Sequence, residues 1–378
     1  MTGVGRSAQG RALGRSVVSL VVDAAREAIA DAGLAVDDVD AMVVESSYVS
    51  KVAPQDEVAA ELGHGRSFLS LATGIGGAGV VSTLAAAELL IATGRHRHVL
   101  CYFGSGFGSS TGGPYDFPVG LDAKRNYEAP HGWFGQPLYF AAMAERYAVE
   151  FGLAPEALAA VAVAAREGAL RTDDAVLRRP LTLDSYRDEP QIVGRFRRAD
   201  CSVISDGAFA WVVSAADRAA DGPQPAVSIL GCGQASEPGM SSSTYWTQRR
   251  RFTTTPCRES AAQAFAAAGL TPADVDVAQI YDCFSISTIL QLEDAGFCAK
   301  GEGADFVASG ALGLTGSLPT NTHGGLLAHS FTVGAGHLVE AVLQLRGQAT
   351  GRQVEGAEIA YLAGLGLPEH ASAVLGRP

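Results

Sequence analysis

The sequence has little of several features that mark specialised classes of protein. No stretch approaches the uncharged apolar length of a membrane-spanning helix. The opening residues, MTGVGRSAQGRALGRS, contain no apolar core of signal-peptide length, so we expect no secretion signal. Basic residues are outnumbered, with 28 Lys and Arg against 40 Asp and Glu, and the net charge is −12. Nucleic acid is therefore not expected as a general partner, because a surface that binds phosphates needs a basic excess.

Cysteine is also sparse and scattered. The six cysteines lie at positions 101, 201, 232, 257, 283 and 298, and no two form a C-x-x-C pair. This spacing argues against a zinc ribbon or a dithiol redox motif, so we expect no bound metal and a reduced, cytoplasmic protein. What the chain does have is 47% hydrophobic residues, 18% charged residues and 45 glycines among 378 residues. That composition indicates a soluble, well-packed, enzyme-like protein.

One segment of the chain occurs twice. DAGLAVDDVDAMVVES (31–46) and AAGLTPADVDVAQIYD (267–282) share identities at one constant offset of 236 (269 − 33). In both, an alanine-rich amphipathic segment ends at Gly, a short turn follows, and an apolar run predicts a buried strand. A single repeat over this distance predicts a duplicated domain with an α/β layer in each half. We place the halves at residues 1–222 and 223–378, with a loop-and-helix insertion at about 105–200.

Two short motifs match known signatures but lack the context that those signatures need. GIGGAG (74–79) satisfies the dinucleotide pattern G-x-G-x-x-G, but the acidic residue expected about 20 positions later is missing. GSSTG (108–112) satisfies G-x-S-x-G, but GPYDFP follows where a nucleophile elbow needs a helix. We interpret both as glycine turns and expect no bound cofactor.

Several features together resemble the thiolase superfamily across nearly the whole chain. They are the duplicated halves, the glycine-rich turn before a long helix at 74–94, YDCF (281–284) after the repeated strand, and NTHGGLLAHSFTVGAGHLVEAVLQLRG (321–347). Within that superfamily the sequence is most similar to the sterol-carrier and lipid-transfer-protein branch, which includes the cysteine-less aldolases of steroid side-chain breakdown. The resemblance implies a five-layer α/β fold of two duplicated halves, an inserted subdomain that roofs the pocket, and a homodimer. It also implies a small OB-fold, zinc-ribbon partner subunit.

The sequence departs from the thiolase motifs at the positions that carry out thiolase chemistry. The nucleophilic Cys of the glycine turn falls on Gly77, and the His of the Gly-His-Pro motif falls on Phe331. The second Cys, expected near the C-terminus, has no counterpart in YLAGLGLPEH (361–370). Claisen chemistry through an acylated enzyme needs that thiolate and its base. Ordinary thiolase activity is therefore not expected.

The resemblance to the aldolase branch makes Tyr281 the leading catalytic candidate. That branch has Tyr in the Y-D-x-F segment and a second functional Tyr at the position of Phe331, so this chain keeps one of the two. The resemblance implies (retro-)aldol cleavage or formation of a β-hydroxyacyl-CoA, with acyl-CoA as the substrate. A phenol has an ordinary pKa of about 10, so Tyr281 would need a hydrogen-bonded or positively charged neighbour to act as a base.

The glycine-rich loop supplies the other candidates for the chemistry. His323 and His329 are candidate catalytic neighbours of Tyr281, and Asn321 could orient a water molecule or the thioester. Each has a structural alternative, since His323 could cap the loop and His329 could be a surface histidine. Tyr281 itself could be a core tyrosine with a satisfied hydroxyl.

The remaining candidates would shape the pocket. Backbone N–H groups around Gly77 and around Gly324 and Gly325 could form an oxyanion hole. Phe331 is interpreted as a pocket wall that cannot transfer protons. His131, in APHGWFG (129–135), belongs to the insertion and is a candidate residue of the roof.

Three neighbouring residues are interpreted as structural. Asp282 is expected to fix a turn, and His337 to have a structural role near a helix start. Cys283 follows Tyr281 by two positions, so on an extended chain the two side chains would share a face. No family nucleophile maps onto Cys283, and a buried cysteine commonly behaves as a small hydrophobe. We do not expect it to be catalytic.

Two arginine-rich segments could hold the phosphates of CoA or could simply be solvated surface. They are LRRP (177–180) and GRFRRAD (194–200), and Tyr245 and Trp246 could stack on adenine. Two other functions also stay open. One is a non-catalytic thiolase-like subunit that binds acyl-CoA and supports a partner enzyme. The other is a Cys-independent acyltransferase of secondary metabolism.

Overall fold

The structure, a computed structural model, describes residues 1–110, 122, 124–133, 135–219, 222–238, 249 and 251–377. The α-helices in these ranges are α1 Val17–Asp31, α2 Val49–Val52, α3 Gln55–Leu62, α4 Gly76–Ala92, α5 Gln136–Phe151, α6 Pro155–Leu170, α7 Leu183–Arg187, α8 Ala216–Ala219, α9 Cys257–Ala268, α10 Ser285–Asp294, α11 Gly303–Ala308 and α12 Ala335–Arg346. The strands are β1 Gly3–Arg6, β2 Ala41–Val44, β3 Leu69–Ala72, β4 His98–Gly106, β5 Gln191–Val193, β6 Phe196–Arg197, β7 Asp206–Ser214, β8 Ser228–Ser236, β9 Val277–Ile280, β10 Ile359–Leu365 and β11 Glu369–Gly376. Among the described helices, none is both long enough and apolar enough to cross a membrane.

Two mixed sheets carry the fold. The first has the order β1-β7-β4-β2-β3, in which β2 pairs in parallel with β3 and β4 and the other pairs are antiparallel. The second has the order β8-β11-β10-β9, in which only β9 and β10 pair in parallel. The strands of the first sheet all precede residue 215, and those of the second all follow residue 227.

The helices complete a five-layer arrangement. Helix α1 packs outside the first sheet and α9 packs outside the second, while α4 and α12 contact strands of both sheets and lie between them. The first two turns of α4, residues 77–84, are buried throughout. The sequence GGAG at its start suits this position, since small residues let neighbouring backbones approach closely.

The repeated segment folds the same way in both halves. Each copy is a helix, a left-handed glycine, a short 3-10 turn and a fully buried strand. The glycines that end the helices, Gly33 and Gly269, have φ values of 71° and 67°. Asp38 and Asp274 each accept a hydrogen bond of 2.8 Å from the backbone amide three residues earlier. The α/β repeat predicted from the sequence is therefore present.

The segment between β4 and β7 contains the extra length of the first half. It includes α5, α6, α7 and the small β5–β6 hairpin. Helix α6 packs against a π-helical turn, Gly325–His329, in the glycine-rich loop of the second half. Backbone amides of Val176 and Leu177 also donate to the carbonyls of His329 and Ala328, at 2.9 and 3.0 Å. The insertion thus fixes the loop that carries several candidate site residues.

Candidate active site

Tyr281 lies where the two central helices begin. It directly follows β9, and its backbone amide donates to the Ala363 carbonyl at 3.0 Å. The side chain is only 7% exposed. One edge of its ring faces the first turn of α4, where a Cβ added at Gly77 would lie 2.5 Å from Tyr281 Cε2. The same edge faces Gly334, which precedes α12, where an added Cβ would lie 3.3 Å from Cδ2.

The environment of Tyr281 keeps its phenol protonated. Burial raises the pKa of Tyr281 well above its usual value, and the nearby carboxylates of Asp282 and Glu45 raise it further. Among the described residues, no hydrogen bond reaches its hydroxyl group and no positive group lowers its pKa. The positive neighbour that a basic role would need is thus missing from the described residues. In this fold Tyr281 is therefore a protonated phenol.

Asp282 holds the glycine-rich loop against the strand end. Its Oδ1 accepts hydrogen bonds from the Leu326 amide at 2.8 Å and from His337 Nε2 at 2.9 Å. The carboxylate lies so close to Gly325 that a Cβ there would collide with it, and Gly325 has a φ of 59°. The turn-fixing role expected of Asp282 and the structural role expected of His337 agree with these contacts.

His323 is a buried, neutral imidazole. Its ring lies 5.0 Å from the ring of His337 and 5.1 Å from that of His329. Burial lowers the pKa of His323 well below its usual value, and the positive potential of the two histidines, of Arg352 and of Arg6 lowers it further. Its Nδ1 has no hydrogen-bond partner among the described residues, so it does not cap the loop through that atom. Within the same ranges, no group of three or more His, Cys, Asp or Glu is placed to hold a metal ion.

His329 is buried and paired, so the alternative of a surface histidine is wrong. Its Nε2 lies 3.1 Å from Asp174 Oδ1, and its Nδ1 lies 3.0 Å from Ser330 Oγ. Burial would raise the pKa of Asp174, but the hydrogen bond and charge of His329, together with Arg6, bring it down to about 2. His329 therefore links the loop to the insertion, and both of its ring nitrogens are engaged.

Three other predicted residues differ in how free they are to meet a ligand. Asn321 has both ends of its amide engaged, because Oδ1 accepts from the Ile280 amide and Nδ2 donates to the Ile280 carbonyl, each at 2.8 Å. It pins the end of β9 from a left-handed backbone conformation, with φ 51°. Gly324 also has positive φ and begins the π-helical turn. His131 is exposed at the end of the 3-10 turn Ala129–His131.

Phe331 contributes to an aromatic wall. Its ring centroid lies 5.7 Å from that of Phe107, which in turn lies 4.3 Å from Tyr48. The Phe331 amide donates to Ser205 Oγ at 2.7 Å, which fixes the backbone of the loop. The interpretation of Phe331 as a wall fits this packing. Tyr48, which the sequence analysis did not single out, brings a second phenol to the same wall.

Glu45 is a further residue that the sequence analysis missed. It directly follows β2 and is 1% exposed, and its carboxylate accepts from the Gly76 amide at 2.7 Å and from the Tyr48 amide at 2.9 Å. Glu45 is also the repeat counterpart of Tyr281, since 45 + 236 = 281. The duplicated strands therefore each end in a side chain directed to the start of α4. The repeat register contained the signal that could have identified Glu45.

Cys283 has the character of a structural thiol. It is buried, its Sγ lies 3.8 Å from Ser287 Oγ, and its backbone carbonyl accepts from the Ser202 amide at 3.0 Å. Burial raises the pKa of the Cys283 thiol far above its usual value. A cysteine that stays protonated is a weak nucleophile.

The arginine-rich segments are largely paired with acids. The ion pairs are Arg178–Asp173 at 3.7 Å, Arg195–Glu145 at 3.1 Å and Arg198–Glu189 at 2.8 Å. These contacts favour the solvated-surface interpretation of both segments. Tyr245 and Trp246, the proposed adenine stack, lie outside the described residues.

A family model, two curated relatives and a solved structure match this chain over most or all of the regions compared. A family model for a thiolase C-terminal domain-like region matches residues 239–377. The steroid side-chain-cleaving aldolase of Thermomonospora curvata is 34% identical, over 97% of this chain and 95% of its own length. The 17-hydroxy-3-oxo-4-pregnene-20-carboxyl-CoA lyase of Mycobacterium tuberculosis is 32% identical, over 97% of this chain and 96% of its own length. The solved structure of the Ltp2-ChsH2(DUF35) aldolase superposes with a TM-score of 0.92 and 32% identity, covering 100% of this chain and 97% of that one.

The chain belongs to the thiolase superfamily and has its fold. Within the superfamily it belongs to the sterol-carrier and lipid-transfer-protein branch that contains the steroid side-chain-cleaving aldolases, and it is an aldolase-type carbon–carbon lyase. The family, fold and enzyme class predicted from the sequence are confirmed.

Proposed function

We propose that this enzyme cleaves a β-hydroxyacyl-CoA by retro-aldol chemistry, with Tyr281 as the proton donor. One observation carries the assignment of Tyr281. Its phenol is buried between the starts of α4 and α12, and its hydroxyl has no hydrogen-bond partner among the described residues. A buried polar group normally finds a partner, so a hydroxyl without one is available to a ligand.

The reaction needs a base, an oxyanion site and an acid. The base removes the proton from the β-hydroxyl, the bond between the α- and β-carbons breaks, and an aldehyde or ketone leaves. The electron pair passes to the thioester as an enolate, whose oxygen needs hydrogen-bond donors. Tyr281 then donates its proton to the α-carbon, which gives the shortened acyl-CoA, and the phenolate regains a proton as the base releases the one taken from the β-hydroxyl. Its raised pKa keeps the phenol protonated until the step.

The start of α4 supplies the proposed oxyanion site. The first amides of a helix have no partner within the helix, and the helix dipole adds positive potential there. The Gly76 amide is already used by Glu45, at 2.7 Å, so we assign the oxyanion to the amide of Gly77. The loop glycines Gly324 and Gly325 remain as proposed donors from the second half.

His323 is the proposed base. It is neutral in the fold, and its Nδ1 has no hydrogen-bond partner among the described residues. His329 is proposed to position the loop, because both of its nitrogens already have partners.

The proposal is tested by supplying β-hydroxyacyl-CoAs with steroid, aryl and short aliphatic tails to the purified protein. Mass spectrometry should show a shortened acyl-CoA together with the released aldehyde or ketone. Acyl-CoA binding without cleavage would instead support the non-catalytic subunit or the acyltransferase. It would also point to Phe331 as the cause, because the family resemblance implies a functional tyrosine at this position.

The assay should be repeated with a partner subunit present. We propose that the chain works with a small OB-fold, zinc-ribbon subunit, as suggested by the two-component name of the Ltp2-ChsH2(DUF35) aldolase. Cleavage that depends on a co-expressed OB-fold protein would support this proposal, and equal rates with and without it would oppose it.

We also propose a homodimer formed through β3. This strand is the outer member of the first sheet, and Leu69 and Leu71 on it are each 38% exposed. Leu89, on the helix that follows, is 70% exposed. An unpaired apolar edge strand is a ready template for pairing with another chain. Leu71→Lys should shift the mass measured by light scattering from two chains to one.

The six free cysteines fit the cytoplasm as the proposed compartment.

A further inference from the structure

The ring of Tyr281 occupies the space that any side chain at position 77 would need. A Cβ built on Gly77 would lie 2.5 Å from Tyr281 Cε2, closer still to Cδ2, and 2.9 Å from the Leu365 carbonyl oxygen. Real Cβ atoms essentially never approach another atom closer than 3.0 Å. The conflict arises at the Cβ itself, so it applies to every residue except glycine.

Tyr281 has little freedom to move away. A Cβ at Gly334 would lie 3.3 Å from Tyr281 Cδ2, on the same edge of the ring, so the starts of α4 and α12 both pack against that edge. Its backbone is also fixed, because the carbonyl accepts from Gln291 Nε2 at 2.7 Å and from Ser287 Oγ at 3.0 Å. The amide is held by Ala363 in β10. A side chain at position 77 would therefore have to displace the ring rather than share the space.

We propose that Gly77 and Tyr281 together determine the type of reaction that this fold performs. A side chain at position 77, including a nucleophilic thiol, and a phenol at position 281 exclude each other. Glycine at position 77 thus does more than remove a nucleophile. It is also required for a phenol to fit at position 281. The part of this inference that concerns catalysis rests on the proposed function of Tyr281, but the steric exclusion stands on the geometry alone.

A double-mutant cycle measures the exclusion without reference to activity. The melting temperature is compared for the wild type, Gly77→Ala, Tyr281→Ala and the double variant. Alanine favours a helix over glycine, so without the conflict Gly77→Ala should not lower the melting temperature. We expect a clear drop when Tyr281 is present and a much smaller drop in the Tyr281→Ala background. The contact with the Leu365 carbonyl, at 2.9 Å, should leave a residual effect.

Gly313→Ala serves as the matched control, because the contact nearest its added Cβ is an ordinary one, 3.5 Å from the Gly310 carbonyl oxygen. It should melt close to the wild type. Equal drops for Gly77→Ala in both backgrounds, or no drop in either, would overturn the inference. If Gly77→Ala does not fold, recovery of folding in the double variant supports the exclusion, and failure to recover overturns it.

Turnover then tests the catalytic part. A folded Gly77→Ala variant should bind acyl-CoA but cleave at least about 10²-fold more slowly, since its phenol is displaced from the reacting carbon. Wild-type turnover in that variant would overturn this part. If the wild type itself cleaves no substrate, the proposed function fails, while the melting cycle still decides whether the two positions exclude each other.

Discussion

Replacing Tyr281 with phenylalanine separates catalysis from stability. The substitution removes one oxygen atom and keeps the ring that fills the space between Gly77 and Gly334. No hydrogen bond to that oxygen is lost among the described residues, so the penalty for an unpaired partner does not arise. We expect the free energy of unfolding to change by less than about 1 kcal/mol.

The rate should respond very differently. Loss of a general acid costs about 10² to 10⁴ in rate, which at the lower limit is about 2.7 kcal/mol of transition-state stabilisation. Turnover is followed as shortened acyl-CoA by mass spectrometry, and stability by urea unfolding of the same preparation. Because the pKa of Tyr281 is raised well above its usual value, deprotonation of the phenol should not reduce the wild-type rate below pH 10.

Three results would refute this reasoning. Unchanged turnover in Tyr281→Phe would show that the phenol is a packing residue. A large loss of stability together with activity would show that the hydroxyl has a structural partner. If the wild-type rate falls as the pH rises near neutrality, and the rate of Tyr281→Phe does not, the phenol ionises easily. The role of proton donor would then be wrong.

Three further substitutions address neighbouring residues. Phe331→Tyr should raise the cleavage rate measured by mass spectrometry, because it supplies the second phenol that the family resemblance implies at this position. A folded but inactive variant would show that the resemblance misleads there. Cys283→Ala should keep turnover within about threefold, because the buried thiol stays protonated, and loss of activity in a stable variant would contradict this. Burial lowers the pKa of His370 from 6.5 to about 3. As the pH falls, the unfolded chain therefore takes up this proton before the folded chain does, so stability should fall between about pH 6.5 and 3. At pH 5 this group alone accounts for about 2 kcal/mol, and urea unfolding of His370→Gln should show a correspondingly flatter pH dependence; an unchanged slope would contradict the assignment.

The repeat made much of the fold predictable. An amphipathic helix, a left-handed glycine and an apolar strand are local features, so both copies of the unit could be found from spacing alone. The order of the layers could not be predicted in this way, because it depends on which faces of α4 and α12 are covered. Periodicity cannot tell a helix buried on every side from other apolar segments. The five layers were therefore expected from the family resemblance.

The site was predicted less completely. Tyr281 and the glycine-rich loop were found because they lie in motifs, but the partner of His329 could not be found this way. Asp174 lies 155 positions away in the chain, in the insertion, and its contact with His329 rules out the alternative of a surface histidine. Asn321 was expected to meet substrate, yet its amide pairs with the backbone of Ile280. Contacts this distant in sequence arise from tertiary structure and leave no local pattern.

Glu45 shows how the duplicated fold builds an asymmetric site. It and Tyr281 occupy equivalent positions at the ends of β2 and β9, and both reach the first turn of α4. The carboxylate binds the Gly76 amide and so fixes the start of the helix. The phenol packs on the next residue, Gly77, and leaves its hydroxyl available. One strand end thus holds the helix in place while its counterpart carries the proposed proton donor. Since the two contacts fall on adjacent residues, the position of the proton donor depends on the glycines of α4 as much as on the tyrosine.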